Sequence, residues 1–337
     1  MKYVIGVDIG ATKSHLALFD TEGTLVDFGH WGPLNHEALP GSFAQFKDEL
    51  EQFTAQILSK NGLKLEQIVS AAFGIAGVDT KLQHSIISKI IKEIGFTNFR
   101  LANDAFIGIF AGSPAGTGIC AINGTGSTLA GINKEGKMLQ IGGVGYVSAD
   151  YGGGSLFREK VVSIVYSELF RKGETTCMTP VLLEKLCISD KFDFVDKVYE
   201  KIEDDSLNIP LCAKILFEAA LKNDKAASDV IYGVATSYAN GISCMIEELE
   251  FNQNEDINIV FAGSVFVKSE YPLLLDTIKE KLNRENPGYS LKYTLLDMPP
   301  VAGAVFWAFN NLNISDKNVF YYKICNQFRE KSSINNK

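Results

Sequence analysis

The chain has 337 residues, of which 46% are apolar and 21% charged, a balance typical of a globular protein with room for two domains. Its net charge of −8 argues against broad binding to nucleic acid or to an anionic membrane. No apolar run reaches the roughly 20 residues that cross a bilayer, and no signal peptide is expected. We therefore expect a cytoplasmic protein that meets any anionic ligand with local groups.

The cysteines lack the C-x-x-C spacing and the neighbouring histidine pairs of zinc and iron–sulfur sites. We expect all six to be free thiols in a reducing compartment. They are Cys120, Cys177, Cys187, Cys212, Cys244 and Cys325.

An apolar strand that runs into a small polar turn opens the chain at residues 3–13. Such a hairpin can hold a phosphate chain, because Gly10 lets the backbone approach a ligand, Thr12 can donate a hydrogen bond and Lys13 supplies positive charge. Asp8, at the end of the strand, can hold hydrated Mg²⁺. The alternative is an ordinary edge hairpin, in which Asp8 serves the turn and Lys13 is an exposed surface residue.

Strands and helices alternate over the rest of the first third, which is typical of an α/β domain. A loop at 31–36 carries Asn35, and the pair Asn103-Asp104 follows a short strand. Asp79 follows a buried strand and is interpreted as a turn or supporting residue. The predicted elements are strands at 15–20, 23–30, 68–75 and 99–102 and helices at 41–62, 82–95 and 105–111.

The pattern of strand, polar turn and returning strand starts again near residue 116. One offset places Ser14 on Ser127 and Gly23 on Gly136, and an internal duplication explains this match better than coincidence. The other predicted elements are strands at 118–122, 128–132, 257–262 and 291–295, mostly helices over 154–249, further helices at 273–284, 299–309 and 316–329, and a frayed tail at 330–337.

Three domain-level segments follow from this organisation. We predict an N-terminal domain at 1–115 and a C-terminal domain at 116–312 with a helical insert at about 155–250. A C-terminal helix and tail at 313–337 could pack back on the first domain.

Three polar turns at 8–13, 123–127 and 261–266 resemble the phosphate 1, phosphate 2 and adenosine motifs of the sugar kinase, heat-shock and actin-type ATPases. Further motifs at 32–35, 74–78, 103–105 and 142–155 are similar to the N-acetylglucosamine kinase branch of the BadF/BadG/BcrA/BcrD-type ATPase family. The resemblance covers residues 3 to 309. It implies an α/β fold of two actin-like, ribonuclease H-like domains with a cleft between them, and ATP and Mg²⁺ as cofactors.

The resemblance also implies roles for individual residues. Asp104 is the expected catalytic base and Asp8 the Mg²⁺ ligand, bound through water. The alternative for Asp104 is that it only caps the following helix. The expected ATP-binding residues are Gly10, Ala11, Thr12, Lys13, Gly124, Thr125, Gly126, Gly263 and Ser264.

The amino sugar is expected to contact Asn35, Asp104, Thr125, Gly143 and Asp150. The alternatives are an Asx turn at Asn35, a cap on the following helix at Asp150 and a purely structural tight turn at Gly263.

Two departures from the family pattern stand out. The chain has Ala149-Asp150-Tyr151-Gly152-Gly153 where the family commonly has Gly-Asp-Glu-Gly-Ser. Gly263 is followed by Ser264 instead of a second glycine. The loss of the carboxylate beside Asp150 leaves the fine sugar specificity open.

The resulting hypothesis is a homodimeric kinase that transfers the ATP γ-phosphate to the 6-hydroxyl of N-acetylglucosamine, N-acetylmuramic acid or both. Its partner is a small amino sugar, with no nucleic acid and no membrane. Two alternatives remain open. An ATPase activator of a 2-hydroxyacyl-CoA dehydratase or benzoyl-CoA reductase would need paired cysteines for a bridging cluster. A non-catalytic sugar sensor would need a DNA-binding module.

Overall fold

The strands form two five-stranded mixed sheets in the computed structural model, which describes residues 1–312 and 316–335. This arrangement confirms the predicted α/β fold with two domains. The first sheet contains β1 (Tyr3–Ile9), β2 (Ser14–Asp20), β3 (Leu25–Trp31), β4 (Ile68–Ile75) and β5 (Phe99–Ala102). The second contains β6 (Gly118–Asn123), β7 (Ser127–Ile132), β8 (Met138–Gly142), β9 (Asp256–Ala262) and β10 (Ser290–Leu295).

Both sheets have the same strand order and the same pairing directions. In the first, β1 pairs antiparallel with β2 and parallel with β4, in the order β3-β2-β1-β4-β5. In the second, β6 pairs antiparallel with β7 and parallel with β9, in the order β8-β7-β6-β9-β10. Ser14 and Ser127 each begin the second strand of their sheet. The repeated topology agrees with an internal duplication.

The helices occupy the predicted positions to within a few residues at most ends. They are α1 (Ser42–Lys60), α2 (Lys81–Ile94), α3 (Asp104–Gly112), α4 (Gly154–Phe170), α5 (Met178–Lys185), α6 (Phe194–Glu203), α7 (Ile209–Leu221), α8 (Lys225–Glu248), α9 (Ser264–Val267), α10 (Leu273–Glu285), α11 (Val301–Asn310) and α12 (Lys317–Asn335). Within the described ranges, no helix is long and apolar enough to traverse a bilayer.

Helices α3 and α11 form a layer that packs against both sheets. One buried cluster joins Phe19 of β2, Phe106 of α3, Val260 of β9 and Phe306 of α11. The opposite face of the first sheet is covered by α1 and α2, and that of the second by α4 to α8 and α10. Because the central layer is shared, the predicted domain limits at 115 and 312 stay a prediction.

Three elements differ from the sequence-based expectation, and the first is the short helix α9, which stands where the sequence predicted only a polar turn. Strand β8 was not predicted, because its side chains are half-buried or exposed and give no apolar alternation. The C-terminal helix continues past the predicted end at 329 to Asn335, while 336–337 and 313–315 lie outside the described residues. Helix α12 contacts the turn between β2 and β3, where the Gln327 side-chain amide donates to the Gly23 carbonyl at 2.9 Å. The six cysteines are free, as expected.

Candidate active site

The first hairpin ends in a four-residue turn at the carboxyl end of β1. Ile9 pairs with Ser14, and the Gly10 N–H donates to the Lys13 carbonyl at 3.1 Å. Three residues at the tip, Ala11, Thr12 and Lys13, are exposed. The turn therefore presents a hydroxyl, an ammonium group and backbone at the end of the central strand of the first sheet.

The second polar turn is fixed by the start of α4. Asn123 pairs with Ser127 and leaves Gly124, Thr125 and Gly126 as the turn. The Gly154 N–H donates to the Gly124 carbonyl at 2.8 Å, and the Ser155 N–H donates to the Thr125 carbonyl at 3.1 Å. These bonds occupy the carbonyl groups of the turn and leave Thr125 and Gly126 exposed.

Gly263 brings the third turn against the second, although the two lie far apart in sequence. Its φ is +92°, and a Cβ there would lie 2.5 Å from the carbonyl carbon of Asn123 and 2.7 Å from the Gly124 nitrogen. Only glycine allows this approach. Ser264 begins the short helix α9, so the contact does not need a second glycine at that position.

Asp104 is the first residue of α3, and it does not cap that helix. The cap is Asn103, whose side-chain oxygen accepts a hydrogen bond from the Ala105 N–H at 2.9 Å. The capping alternative for Asp104 is therefore wrong. Burial, followed by the negative charges of Asp8 and Asp79, raises the pKa of Asp104 from 3.8 to about 8. Once ionised, a carboxyl group with such a pKa is a stronger base than an ordinary aspartate and is suited to accept a proton from a sugar hydroxyl.

Asp8 lies at the same edge of the first sheet as Asp104, since β1, β4 and β5 run parallel. Its side chain is 15% exposed, and its Oδ2 lies 3.5 Å from Nδ1 of the buried His15. One carboxylate beside a polar turn of this kind fits Mg²⁺, which commonly takes one or two carboxylates, substrate phosphates and water. Among the residues that the structure describes, no cluster of three or more His, Cys, Asp or Glu side chains could enclose a metal by itself.

Asp79 has a more central position than the sequence suggested. Its Oδ1 accepts hydrogen bonds from Asn103 Nδ2 at 2.8 Å and from Gln140 Nε2 at 2.6 Å. Burial, assisted by the charges of Glu37 and Asp150, raises its pKa to about 6 despite these two bonds. The one sequence signal is that Asp79 follows the end of a buried strand, and Asp104 likewise follows a strand.

Asn35 is buried and forms the Asx turn that the sequence left as an alternative. Its Oδ1 accepts from the Glu37 N–H at 2.9 Å. A Cβ on Gly77, whose φ is +84°, would lie 2.7 Å from the same oxygen. Asn35 thus stands at the exit of β4, next to the loop that carries Asp79. The Asx turn uses the amide oxygen, and the amide nitrogen is the group that could meet a sugar.

Asp150 fastens the loop that precedes α4. One carboxylate oxygen accepts from the Gly143 N–H at 2.9 Å and the Gly145 N–H at 2.8 Å, and the other accepts from the Ser148 hydroxyl at 2.8 Å. The alternative that Asp150 caps α4 is wrong, because the cap of that helix is Gly153. A direct contact of Asp150 or Gly143 with the sugar stays a prediction.

The two replacements beside Asp150 have structural partners. Tyr151 packs on α8, where a Cβ added to Gly233 would lie 2.8 Å from the tyrosine ring. Gly153 has a φ of +87°, and a Cβ there would lie 2.7 Å from the Thr125 carbonyl oxygen. The residue at 153 therefore has to be small for α4 to hold the second turn.

The sequence pattern of the BadF/BadG/BcrA/BcrD ATPase family matches residues 5–308. The chain is 27% identical over 288 residues to the N-acetylmuramic acid/N-acetylglucosamine kinase of Clostridium acetobutylicum, covering 85% of this chain and 92% of that protein. It is 23% identical over 316 residues to the N-acetyl-D-glucosamine kinase of Dictyostelium discoideum, covering 91% and 98% of the two chains.

Solved structures show the same fold. A Chromobacterium violaceum protein with a proposed assignment as an N-acetylglucosamine kinase superposes with a TM-score of 0.64 at 17% identity, covering 90% of this chain and 98% of its own. A ROK family glucokinase from Streptomyces griseus, solved with glucose and AMPPNP, superposes with a TM-score of 0.54 at 18% identity, covering 91% and 98%. The chain belongs to the BadF/BadG/BcrA/BcrD ATPase family.

Proposed function

We propose that this protein is an ATP-dependent amino-sugar kinase that transfers the γ-phosphate to the 6-hydroxyl of N-acetylglucosamine, N-acetylmuramic acid or both. The observation that carries the proposal is the environment of Asp104. This half-buried carboxyl group has a raised pKa and lies at the same edge of the first sheet as the turn from Gly10 to Lys13. The two curated relatives are named as kinases of these sugars, which supports the same substrate class here.

ATP would lie across three turns. The turn from Gly10 to Lys13 and the turn from Gly124 to Gly126 offer backbone N–H groups, hydroxyls and one ammonium group to the phosphates. The backbone at Gly263 would support the nucleoside, because the absence of a Cβ lets a flat ring lie close. Mg²⁺ held by Asp8 through water would neutralise charge on the phosphates.

Asp104 would accept the proton of the 6-hydroxyl as that oxygen attacks the γ-phosphorus. A positioned base of this kind contributes about 10²- to 10⁴-fold in rate. The primary hydroxyl is the most accessible nucleophile of the sugar, and in-line attack requires that the sugar be held against the base. Asn35, Gly143, Thr125 and Asp150 are the proposed sugar contacts. We expect the enzyme to act in the cytoplasm as a homodimer.

A substrate panel tests the proposal. Release of ADP from Mg-ATP would be measured with hexoses, hexosamines, N-acetylhexosamines and muramic acids. We expect turnover with N-acetylglucosamine or N-acetylmuramic acid and none with the 6-deoxy analogue of the active sugar. Activity on none of these sugars would overturn the kinase proposal. Turnover of the 6-deoxy analogue would overturn the assignment of the 6-hydroxyl alone.

A further inference from the structure

A single carboxylate oxygen joins three elements of the fold. Asp79 Oδ1 accepts from Asn103 Nδ2 at 2.8 Å and from Gln140 Nε2 at 2.6 Å. Asn103 caps α3, the helix that begins with Asp104, whereas Gln140 lies on β8 of the second sheet. The contact therefore connects the loop after β4, the start of the helix that carries the proposed base, and the edge strand of the other sheet.

The surrounding backbone is shaped for this contact. Gly143 has a φ of +96°, and a Cβ there would lie 2.9 Å from Asp79 Oδ1 and 3.0 Å from Gln140 Nε2. The Asp79 and Thr80 N–H groups both donate to Gln83 Oε1, at 3.1 and 2.9 Å. The loop is thus anchored to α2 through its backbone, which leaves the carboxylate of Asp79 to its two amide partners.

We infer that Asp79 is a positioning residue, which aligns Asp104 through Asn103 and is itself held in place by Gln140 of the second sheet. This inference rests on the proposed kinase function. The loop 142–150 carries two of the proposed sugar contacts, Gly143 and Asp150, and it follows directly after Gln140. A change in the position of this loop on sugar binding is passed to Asp79 by the hydrogen bond from Gln140. The hydrogen bond from Asn103 passes it from Asp79 to the cap of α3. Phosphoryl transfer is thereby coupled to the seating of the sugar.

A double-mutant cycle on the active enzyme tests the inference. Asp79→Ala is expected to lower kcat by about 10²-fold, the cost of a misplaced catalytic group. Gln140→Leu is expected to lower kcat about 10-fold with the KM for ATP within about twofold, because the nucleotide turns are untouched. The double variant is expected to be no slower than Asp79→Ala alone, since residues in one network are not additive. The ratio of ATP hydrolysis to sugar phosphorylation is expected to rise in all three variants.

Asp27→Ala is the matched control, because Asp27 Oδ2 also accepts from a side-chain amide, Asn61 Nδ2, at 2.8 Å, and neither residue belongs to the proposed site. It is expected to lower the melting temperature and leave kcat unchanged. Suppose that the wild-type enzyme is active. Unchanged kcat in Asp79→Ala, or a double variant whose loss of kcat is the product of the two single losses, would then overturn the inference and leave the proposed function intact. A wild-type enzyme that phosphorylates no sugar would overturn both. If Asp79→Ala does not fold, Gln140→Leu alone tests the inference. An unchanged kcat and an unchanged ratio of ATP hydrolysis to sugar phosphorylation in Gln140→Leu would refute the coupling.

Discussion

Replacement of Asp104 by asparagine should make the protein inactive and more stable at once. The folded protein holds this carboxyl group with a pKa of about 8, whereas the unfolded chain ionises it near 3.8. A group whose pKa is raised by folding binds a proton in the folded state between these two values. The contribution of Asp104 to the free energy of unfolding therefore falls as the pH rises from about 4 to about 8, and it is constant above pH 8.

The magnitude follows from the pKa difference. At about 1.4 kcal/mol per pH unit, the range from 3.8 to about 8 gives an upper bound of about 6 kcal/mol for the cost of the ionised group. Asp104 is partly exposed, and solvent screening and relaxation reduce this cost to about 2 kcal/mol. Asp104→Asn removes the charge and keeps the shape. We expect it to raise the free energy of unfolding by about 2 kcal/mol at pH 8.5 and by less at pH 5.

The assay is urea denaturation of the nucleotide-free protein at pH 5, 6.5 and 8.5, with ADP release and nucleotide binding measured in parallel. Turnover should fall by about 10²- to 10⁴-fold, while the affinity for ATP is kept. Asp27→Asn is a control of opposite sign. Burial of Asp27 is outweighed by hydrogen bonds from Lys60, Asn61 and the Phe28 N–H, which lower its pKa, so its loss should destabilise the protein above pH 4.

Two results would contradict the properties assigned to Asp104. A variant that is less stable than the wild type at pH 8.5, or whose stability difference does not change with pH, would show that the carboxyl group is not under electrostatic strain. A variant that retains full turnover would exclude Asp104 as the base.

Three further predictions concern the nucleotide turns, the metal and the C-terminal helix. Gly263→Ala should raise the KM for ATP at least about 10-fold, because a Cβ there forces the third turn away from the second. Gly136→Ala, where φ is +80° and no atom lies within 4 Å, should leave the KM unchanged. Equal losses of nucleotide affinity in titration calorimetry would contradict this packing argument. Asp8→Asn should raise the Mg²⁺ concentration needed for half-maximal rate, and chelation should abolish turnover; an unchanged Mg²⁺ titration would exclude Asp8 as the ligand. Gln327→Ala should cost about 1–2 kcal/mol of unfolding free energy with unchanged kcat, because its side chain bonds both Gly23 and the Leu25 N–H; unaltered urea denaturation would show that these bonds add nothing.

The order of strands, turns and helices could be predicted because buried strands and amphipathic helices leave periodic apolar patterns in the sequence. The two-domain organisation followed from the repeat of those patterns, with Ser14 and Ser127 at matching points, and the actin-like fold was implied by the family resemblance. Strand β8 escaped prediction because its side chains are half-buried or exposed. A strand of this kind is recognised by its neighbour in the sheet and not by its own composition.

The candidate site was predictable in its residue types and not in its connections. Asp104 and the cap Asn103 are adjacent in sequence, yet only the structure shows which of the two caps α3. The partners of Asp79 lie 24 and 61 residues away, on separate elements, so its role cannot be deduced from local sequence. Asp150 was predicted as a sugar contact, and the sequence does not show that three donors of its own loop surround its carboxylate.

The proposed reaction is transfer of phosphate to the 6-hydroxyl of an amino sugar, with Asp104 as the base. The most direct measurement is phosphorus NMR of the product formed from Mg-ATP and N-acetylglucosamine or N-acetylmuramic acid, with wild type and Asp104→Asn side by side. We expect a 6-phosphate ester, coupled to the C6 protons, from the wild type and none from the variant. A phosphate on another oxygen, free phosphate alone, or the same ester at the same rate from the variant would contradict it.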